Sequence, residues 1–304
     1  MAYESGCRFV NLEFFQIGPA VVHPDLTFII HSHMWRFLPK LRNRAGEEFL
    51  ARYCGGDVTP GKALDLKAMS YPFSVRTGAK YVDIAIFREI AQGRGTPDGG
   101  VWFDVTHIER KELAEKAPIT YRTLLGAGVD CAKQHLKVTM AVQNFNGGIL
   151  IDANGFTGVE GLYAAGEVTG GVHGSDRPGG NNLTDTQVFG HRAGQAAAEY
   201  AAAAPPPHPL PIQNSLRLEP TPEERALIAQ SEDLYYQELT VIRRKEGLEK
   251  VLEFTRTHLR EDVSVPLRNR LLLGMLFAMA QLTRTESRGT HYREDYPDTR
   301  GEWQ

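Results

Sequence analysis

The fold of this chain is decided by one glycine-rich stretch, Glu167-Val168-Thr169-Gly170-Gly171-Val172-His173-Gly174-Ser175-Asp176-Arg177-Pro178. The apolar segment before it, Leu162 to Ala165, is predicted to be a strand. Gly179-Gly180 and an Ala-rich segment follow it, and this pattern predicts a helix from Thr184 to Ala204. A strand, a glycine-rich loop and a helix in this order are typical of nucleotide-binding α/β folds.

The segments before this stretch alternate between short strands and helices. A strand is predicted from Cys7 to Ile17, and Gly18-Pro19 is expected to end it. The further predictions are a helix over Ile84–Ile90, a strand over Val101–Val105, a helix over Glu109–Glu115, and a strand over Ile149–Asp152 that turns at Asn154-Gly155.

The segments after the long helix predict a second, helical region. Residues 205–220 hold six prolines, which predicts a stiff linker. Thr221, Pro222 and Glu224 have the spacing of a capping box, so a helix is expected to begin there and others to follow up to residue 287.

Composition excludes several classes of partner. A net charge of −3 gives no reason to expect nucleic acid as a partner. Three cysteines without CxxC spacing indicate a reducing compartment and no structural zinc, so a cytoplasmic location is expected. The longest apolar run, Leu271 to Leu282, is too short to span a bilayer, and the segment after Met1 lacks the pattern of a signal peptide.

The glycine-rich stretch has the residue types that a flavin requires. Glu167 can accept hydrogen bonds from ribityl or ribose hydroxyls, and the glycine pairs allow the backbone to approach the ring closely. The helix after Asn182 would point its free N–H groups and positive dipole end at the N1/C2=O edge. Spacing alone is equally compatible with an ordinary strand-loop-helix unit.

Further motifs of this sequence resemble the flavoprotein family of succinate dehydrogenase, fumarate reductase and L-aspartate oxidase. The resemblance runs from the first residues almost to the last. Its motifs are Met1-Ala2-Tyr3, Glu13-Phe14-Phe15-Gln16, Gly161-Leu162-Tyr163-Ala164-Ala165-Gly166-Glu167, Gly170-Gly171-Val172-His173-Gly174, Phe189-Gly190-His191-Arg192-Ala193-Gly194 and the segment Glu286 to Pro297.

The resemblance implies an α/β plus α chain: a partial Rossmann-like FAD domain, an α+β capping domain and a C-terminal helical domain. The expected bounds are a stub of the FAD domain at 1–20, the capping domain at 21–135, the C-terminal part of the FAD domain at 136–204, the linker at 205–220, and the helical domain with its tail at 221–304.

The resemblance also implies a set of site residues. Those expected to contact FAD are Gly166, Glu167, His173, Gly180, Asn181, Asn182 and Leu183. Arg177 would bind a substrate carboxylate, and an arginine between glycine-rich turns suits a bidentate clamp. The alternative for Arg177 is an ordinary surface arginine, and the alternative for His173 is a residue that orders the loop.

The sequence departs from the family at three places. No G-x-G-x-x-G turn for the FAD pyrophosphate is found in the 304 residues. The family's carboxylate-binding histidine is replaced by Gln143, which can donate a hydrogen bond but cannot titrate. The family's proton-donating arginine aligns with Ala79, so Arg76 or Lys80 would have to serve, unless both are surface charges.

These departures leave three hypotheses. The first is part of an FAD-dependent oxidoreductase that exchanges hydride between flavin N5 and a small anionic substrate. It would need a chain carrying the N-terminal FAD-binding half, unless the 304 residues are a truncated product. An iron–sulfur subunit is a further candidate partner. The second is an inactive fragment or assembly subunit without its own FAD site. The third is an enzyme that resembles adenylylsulfate reductase and acts on another substrate.

Other notable residues have ordinary explanations. His31 and His33 could ligate a metal, but no carboxylate or cysteine follows at ligand spacing, so a strand or surface role is favoured and no metal is predicted. His291 and Arg293 are expected to hold the tail in place. Tyr235-Tyr236 is expected to belong to a helical core.

Overall fold

The computed structural model describes residues 1–23, 26–205 and 217–303. The strands are β1 (Phe9–Val10), β2 (Phe15–His23), β3 (Leu26–Ile29), β4 (Lys40–Arg42), β5 (Val101–Asp104), β6 (Leu136–Phe145), β7 (Gly148–Leu150) and β8 (Thr169–Gly170). The α-helices are α1 (Ser32–Trp35), α2 (Pro60–Met69), α3 (Lys80–Ala91), α4 (Arg110–Lys116), α5 (Pro118–Gly126), α6 (Asn181–Ala203), α7 (Pro222–Leu239), α8 (Lys245–His258) and α9 (Val265–Thr283).

The chain divides into two compact units. The first unit comprises residues 1–15, 144–287 and 291–304, and the second comprises residues 16–143 and 288–290. Strands and helices are mixed along the chain, as an α/β class requires. The assignment of FAD, capping and helical domains with the bounds given above stays a prediction.

The first unit contains a small three-stranded sheet and a bundle of helices. The sheet order is β1-β7-β8; β1 pairs antiparallel with β7, and β7 pairs parallel with β8. Helices α7, α8 and α9 share an apolar cluster around Phe254, Leu267 and Leu271. Tyr235 donates to the carbonyl of Arg270 at 3.2 Å, so this tyrosine belongs to the helical packing, as expected.

The second unit is built on a five-stranded sheet. Its strand order is β3-β2-β6-β5-β4, and β4, β5 and β6 pair antiparallel in succession. Large buried side chains of this unit include Trp35, Phe49, Phe73 and Phe103. Trp35 and Phe103 meet edge to face at 5.1 Å between ring centroids, so helix α1 packs on the sheet at β5.

Local sequence signals predict α3, α4, α6 and the start of α7, but no predicted helix corresponds to α1, α2 or α5. The helix predicted at Ile84–Ile90 lies within α3. The helices predicted at Glu109–Glu115 and Thr184–Ala204 differ from α4 and α6 by one to three residues at each end. The capping box is present: the Thr221 hydroxyl accepts from the N–H of Glu224, and the Glu224 carboxylate accepts from the N–H of Thr221. This prediction is confirmed, because a capping box depends only on residues three positions apart.

The predicted strand from Cys7 to Ile17 is wrong in its bounds. The structure has two strands here, and β2 continues through Gly18-Pro19 to His23. Pro19 cannot donate a hydrogen bond, but its carbonyl accepts from the N–H of Ile30 at 2.8 Å. A proline at this point of the sheet therefore does not end the strand.

The predicted strand from Leu162 to Ala165 is also wrong. Only Tyr163 pairs there, in an isolated bridge with Phe156. The strand that leads into the glycine-rich loop is β8, which lies later in the sequence. An apolar run predicts a strand only where a neighbouring strand can pair with it, and the described residues supply no more than this bridge.

The polar C-terminal segment is buried where it follows the last helix. Ser287, His291 and Arg293 are at most 1% exposed. Arg293 donates to the carbonyl of Gln281 at 2.6 Å and pairs with Asp295 at 2.7 Å, which ties this segment to the end of α9.

Most of the predicted linker, residues 206–216, lies outside the described residues. Within the described ranges, no helix combines the length and the apolar character needed to cross a membrane.

Candidate functional site

The glycine-rich stretch contains β8 near its start, and β8 lies very close to β7. A Cβ atom on Gly148 would lie 2.2 Å from the carbonyl oxygen of Val168, and one on Gly170 would lie 2.4 Å from the nitrogen of Gly148. Real Cβ atoms do not approach this closely, so both positions require glycine. The two strands thus fix the point from which the loop departs.

The loop ends in a left-handed glycine at the start of α6. Gly180 has φ +86° and is the N-cap residue, and no side chain caps the first turn. A Cβ on Gly179 or Gly180 would meet nothing within 4 Å among the described residues. The backbone at these two glycines therefore leaves room for close approach of a ligand, while the N–H of Asn181 donates to the carbonyl of Pro178 at 3.2 Å.

Arg177 is buried inside this loop. This residue is only 7% exposed. Its Nη1 donates to the carbonyl of Pro178 at 3.0 Å and to Oδ1 of Asn182 at 3.2 Å. Burial lowers the pKa of the guanidinium, while the charges of Glu167 and Asp176 act in the opposite direction. The alternative of a fully solvated surface arginine does not fit this burial.

Glu167 lies at the start of the same loop and is exposed. Its Oε1 accepts from the backbone N–H of Phe145 at 3.0 Å. In sequence, Glu167 begins the loop, Gly180 ends it and Asn182 follows it. Their contacts with FAD stay a prediction.

His173 is joined to an aspartate that the sequence analysis does not single out. Its Nε2 lies 3.4 Å from Oδ2 of Asp185, with side chains only 8% and 5% exposed. Asp185 follows the start of an Ala-rich helix, where an acidic residue is commonplace. The available signal was its spacing of three from Asn182, which places both residues on one face of α6.

The other predicted site residues belong to the second unit and are described by themselves. Gln143 is exposed near the end of β6, and Arg76 is exposed in the turn before α3. Lys80 begins α3 and lies 5.5 Å from the ring centroid of Tyr81. Ala79 is buried at 2% exposure. Their proposed roles with a substrate stay predictions.

The histidine pair of the second unit shows no metal-ligand arrangement. The rings of His31 and His33 stack at 6.3 Å, and Nε2 of His33 lies 2.7 Å from the hydroxyl of Thr120. Burial and the positive charges of His31 and Arg36 lower the pKa of His33. In the part of the chain that the structure describes, no three His, Cys, Asp or Glu side chains group to hold a metal ion.

Comparison with known families identifies this class of protein. Residues 1–183 match the FAD binding domain family, and residues 257–303 match the fumarate reductase flavoprotein C-terminal family. The chain belongs to the FAD-dependent flavoproteins of the succinate dehydrogenase, fumarate reductase and L-aspartate oxidase type, and FAD is its cofactor.

Two archaeal relatives align over the whole chain. One subunit of the CoM/CoB fumarate reductase of Methanothermobacter marburgensis is 31% identical, and an uncharacterised FAD-dependent oxidoreductase of Methanocaldococcus jannaschii is 36% identical. This chain covers 57% and 56% of their lengths. It therefore spans about half the length of the curated relatives it matches.

A solved structure supports the same fold. The Mycobacterium smegmatis Sdh1 complex with UQ1 matches with a TM-score of 0.75 at 30% identity, over 98% of this chain and 52% of that one. The adenylylsulfate reductase of Archaeoglobus fulgidus, with a TM-score of 0.58 at 15% identity, shows the fold alone.

The residues present fit the flavin end of FAD. Gly179 and Gly180 leave space for a planar polar ring. The first turn of α6 has no side-chain cap and can donate hydrogen bonds, and the carboxylate of Glu167 can accept them. The pyrophosphate end has no comparable G-x-G-x-x-G turn in this sequence.

Proposed function

We propose that this chain is the flavin-facing and capping part of an FAD-dependent oxidoreductase that acts on a small anionic substrate of the carboxylate type. The observation that carries this proposal is the buried Arg177, held between a glycine-rich loop and the N-terminus of α6. Bound FAD supplies hydride exchange at N5.

Arg177 is proposed to bind and orient the substrate carboxylate. A guanidinium presents a planar fork of donors, and the structure occupies Nη1 with Pro178 and Asn182. These two contacts hold the plane of the fork, so less side-chain entropy is lost when an anion binds. Exclusion of water strengthens a charge-assisted pair of this kind.

Three residues of the second unit keep, in this proposal, the roles that the family resemblance implies. Gln143 can donate through its amide to a carboxylate oxygen. Arg76 or Lys80 would deliver the proton, since Ala79 cannot. These assignments rest on the resemblance to the flavoprotein family.

Helix α6 supports the proposal that another polypeptide segment completes the FAD site. Only Asp185 and Ala193 are buried among its 23 residues, while Leu183 and Val188 are 70% and 39% exposed. A helix that leaves apolar side chains exposed along its length usually packs against another element. The proposed occupant of this face is a polypeptide carrying the G-x-G-x-x-G turn.

An electron-transfer partner is a further part of the proposal. One relative is named as one subunit of a fumarate reductase, so an assembly of several chains is the expected context. An iron–sulfur subunit would carry electrons between the flavin and a distant acceptor.

The test is co-expression with a neighbouring reading frame that encodes a dinucleotide-binding half, followed by a visible absorption spectrum. Bound flavin, and a spectral change on adding a dicarboxylate that Arg177→Gln abolishes, are the expected results. The conservative Arg177→Lys variant should restore only part of the response, because lysine lacks the planar fork. A folded complex without flavin would contradict the proposal.

An activity like that of adenylylsulfate reductase has only the shared fold in its favour.

A further inference from the structure

Helix α6 buries a carboxylate where an exposed helix would normally bury apolar side chains. Asp185 and Ala193 are the two buried residues of this helix. Ala193 packs against the turn at Gly155, where a Cβ would lie 2.5 Å from the Ala193 Cβ. Asp185 has no such packing role, and removing a carboxylate from water costs free energy unless the charge is compensated.

The helix dipole does not account for Asp185. Acidic side chains stabilise a helix N-terminus when they lie in its first turn, and the first turn of α6 contains none. Asp185 lies in the next turn and is only 7% exposed. Its burial therefore points to a specific interaction rather than to a general preference for negative charge.

The polar group beside this carboxylate is His173. Oδ2 of Asp185 lies 3.4 Å from Nε2 of the imidazole, and Oδ1 has no hydrogen-bond partner among the described residues. A carboxylate beside one ring nitrogen favours the tautomer in which that nitrogen carries the proton, because two lone pairs would otherwise face each other. Asp185 is thus placed to set both the tautomer and the orientation of the ring.

The His173 contact is one of several ties between the loop and α6. Another joins Nη1 of Arg177 to Oδ1 of Asn182 at 3.2 Å, and the N–H of Asn181 donates to the carbonyl of Pro178 at 3.2 Å. Asn182 and Asp185 are three residues apart, so both project from one face of the helix. Gly174, which lies between His173 and Arg177, has φ +59° and offers little resistance of its own to a change of loop shape.

We infer that Asp185 is a positioning residue, which through His173 holds the glycine-rich loop against α6 and so keeps Arg177 oriented to bind a substrate carboxylate. The inference rests on the proposed function for the identity of the anion. The geometry of the pair is independent of it. Partners that orient a ligating side chain are usually as important as the ligating group itself.

Four variants separate positioning from simple packing. Asp185→Ala and His173→Ala remove the tie, whereas His173→Gln places an amide N–H where it can still donate to Asp185. Glu199→Ala is the matched control, since Glu199 is an exposed acid on the same helix whose carboxylate accepts from Gln195 at 3.0 Å.

The first measurement is the ¹⁵N spectrum of the His173 ring in the full chain, assigned by comparison with His173→Gln. The Nε2–H tautomer is expected in the wild type and in Glu199→Ala, and its loss is expected in Asp185→Ala. An unchanged tautomer in folded Asp185→Ala protein would overturn the inference.

The second measurement is the affinity for succinate of the flavin-loaded complex, by titration calorimetry. Asp185→Ala and His173→Ala should bind roughly 10- to 100-fold more weakly, the range typical of lost orienting partners, and His173→Gln should stay near the wild type. Equal losses in His173→Gln and His173→Ala would overturn the inference. If the wild type binds no dicarboxylate, the proposed function fails and the ring tautomer alone decides the role of Asp185.

Discussion

At the scale of single residues, several charged side chains of this protein are buried. Arg177 donates a hydrogen bond to the carbonyl of Pro178, and Asp185 lies beside His173. In the second unit, Lys67 and Asp83 are both fully buried and form an ion pair at 2.7 Å. Such pairs contribute little net stability, but breaking one leaves an uncompensated charge.

The buried pair gives a direct stability prediction. Lys67→Met should destabilise the protein by about 3–5 kcal/mol, because Asp83 then stays buried without its partner. The double variant Lys67→Met/Asp83→Leu should recover most of that loss, since both charges are removed. The measurement is the free energy of unfolding in urea for both variants. Lys62→Met, at an exposed position of the same helix, is the control and should change little.

A second residue-scale prediction concerns the close contact of β7 and β8. Gly148→Ala should destabilise the protein by about 1–3 kcal/mol, because the new Cβ would lie 2.2 Å from the Val168 carbonyl and must push β8 away. Gly190→Ala is the matched control, since a Cβ there meets nothing within 4 Å in the helix. It should be neutral or stabilising by up to about 1 kcal/mol. Equal unfolding midpoints for the two variants would contradict the close contact.

At the scale of elements, the sequence predicts what depends on neighbouring residues and fails where distant strands must pair. The capping box at Thr221 and helix α6 are both predicted from local patterns, and both are present. The strand predicted at Leu162–Ala165 is reduced to one bridge, because pairing depends on chain far away in sequence. Burial of Asp185 could not be predicted either, since an acid in an Ala-rich helix normally faces water.

Glu224 makes the stability of the helical region depend on pH. Its carboxylate takes two bonds from Arg217, at 2.7 and 2.6 Å, and accepts from the N–H of Ser264 at 3.0 Å. The hydrogen bonds from Arg217 contribute most to lowering the pKa of Glu224 from its ordinary 4.5 to about 2. A lowered pKa in the folded state means that this stabilisation is complete above pH 4.5 and is lost as the pH falls towards 2.

Glu224→Gln should therefore lower the unfolding midpoint at pH 7, and the difference from the wild type should shrink as the pH falls from 4.5 to 2. Thermal unfolding followed by circular dichroism over this range measures the effect. Glu261→Gln, an exposed position between α8 and α9, is the control. A constant difference at every pH would show that the ionised form of Glu224 is not what stabilises the fold.

At the scale of the whole molecule, the chain spans about half the length of its curated relatives. Both compact units are nevertheless formed, each with its own sheet. The feature that bears on assembly is the exposed face of α6, because it adjoins the loop that carries Arg177.

A large side chain on the exposed face of α6 should block the proposed assembly without lowering the stability of the chain. A Cβ on Gly194 would meet nothing within 4 Å in the described residues, so Gly194→Leu should leave the unfolding midpoint of the chain unchanged. It should abolish co-purification with the polypeptide that carries the dinucleotide-binding turn, while Gly194→Ala should reduce it less. Gly126→Leu, at a similarly open glycine of the second unit, should have no effect on co-purification. Normal assembly of Gly194→Leu would place the partner elsewhere.

The outer edge of β8 bears on the tendency of the chain to aggregate. This strand is two residues long and lies at the end of its sheet, and no described residue pairs with its other side. Long unpaired edges recruit strands from other molecules and lead to aggregation, whereas a very short edge offers little template for such pairing. The outer edge of β8 should therefore contribute little to aggregation of this chain.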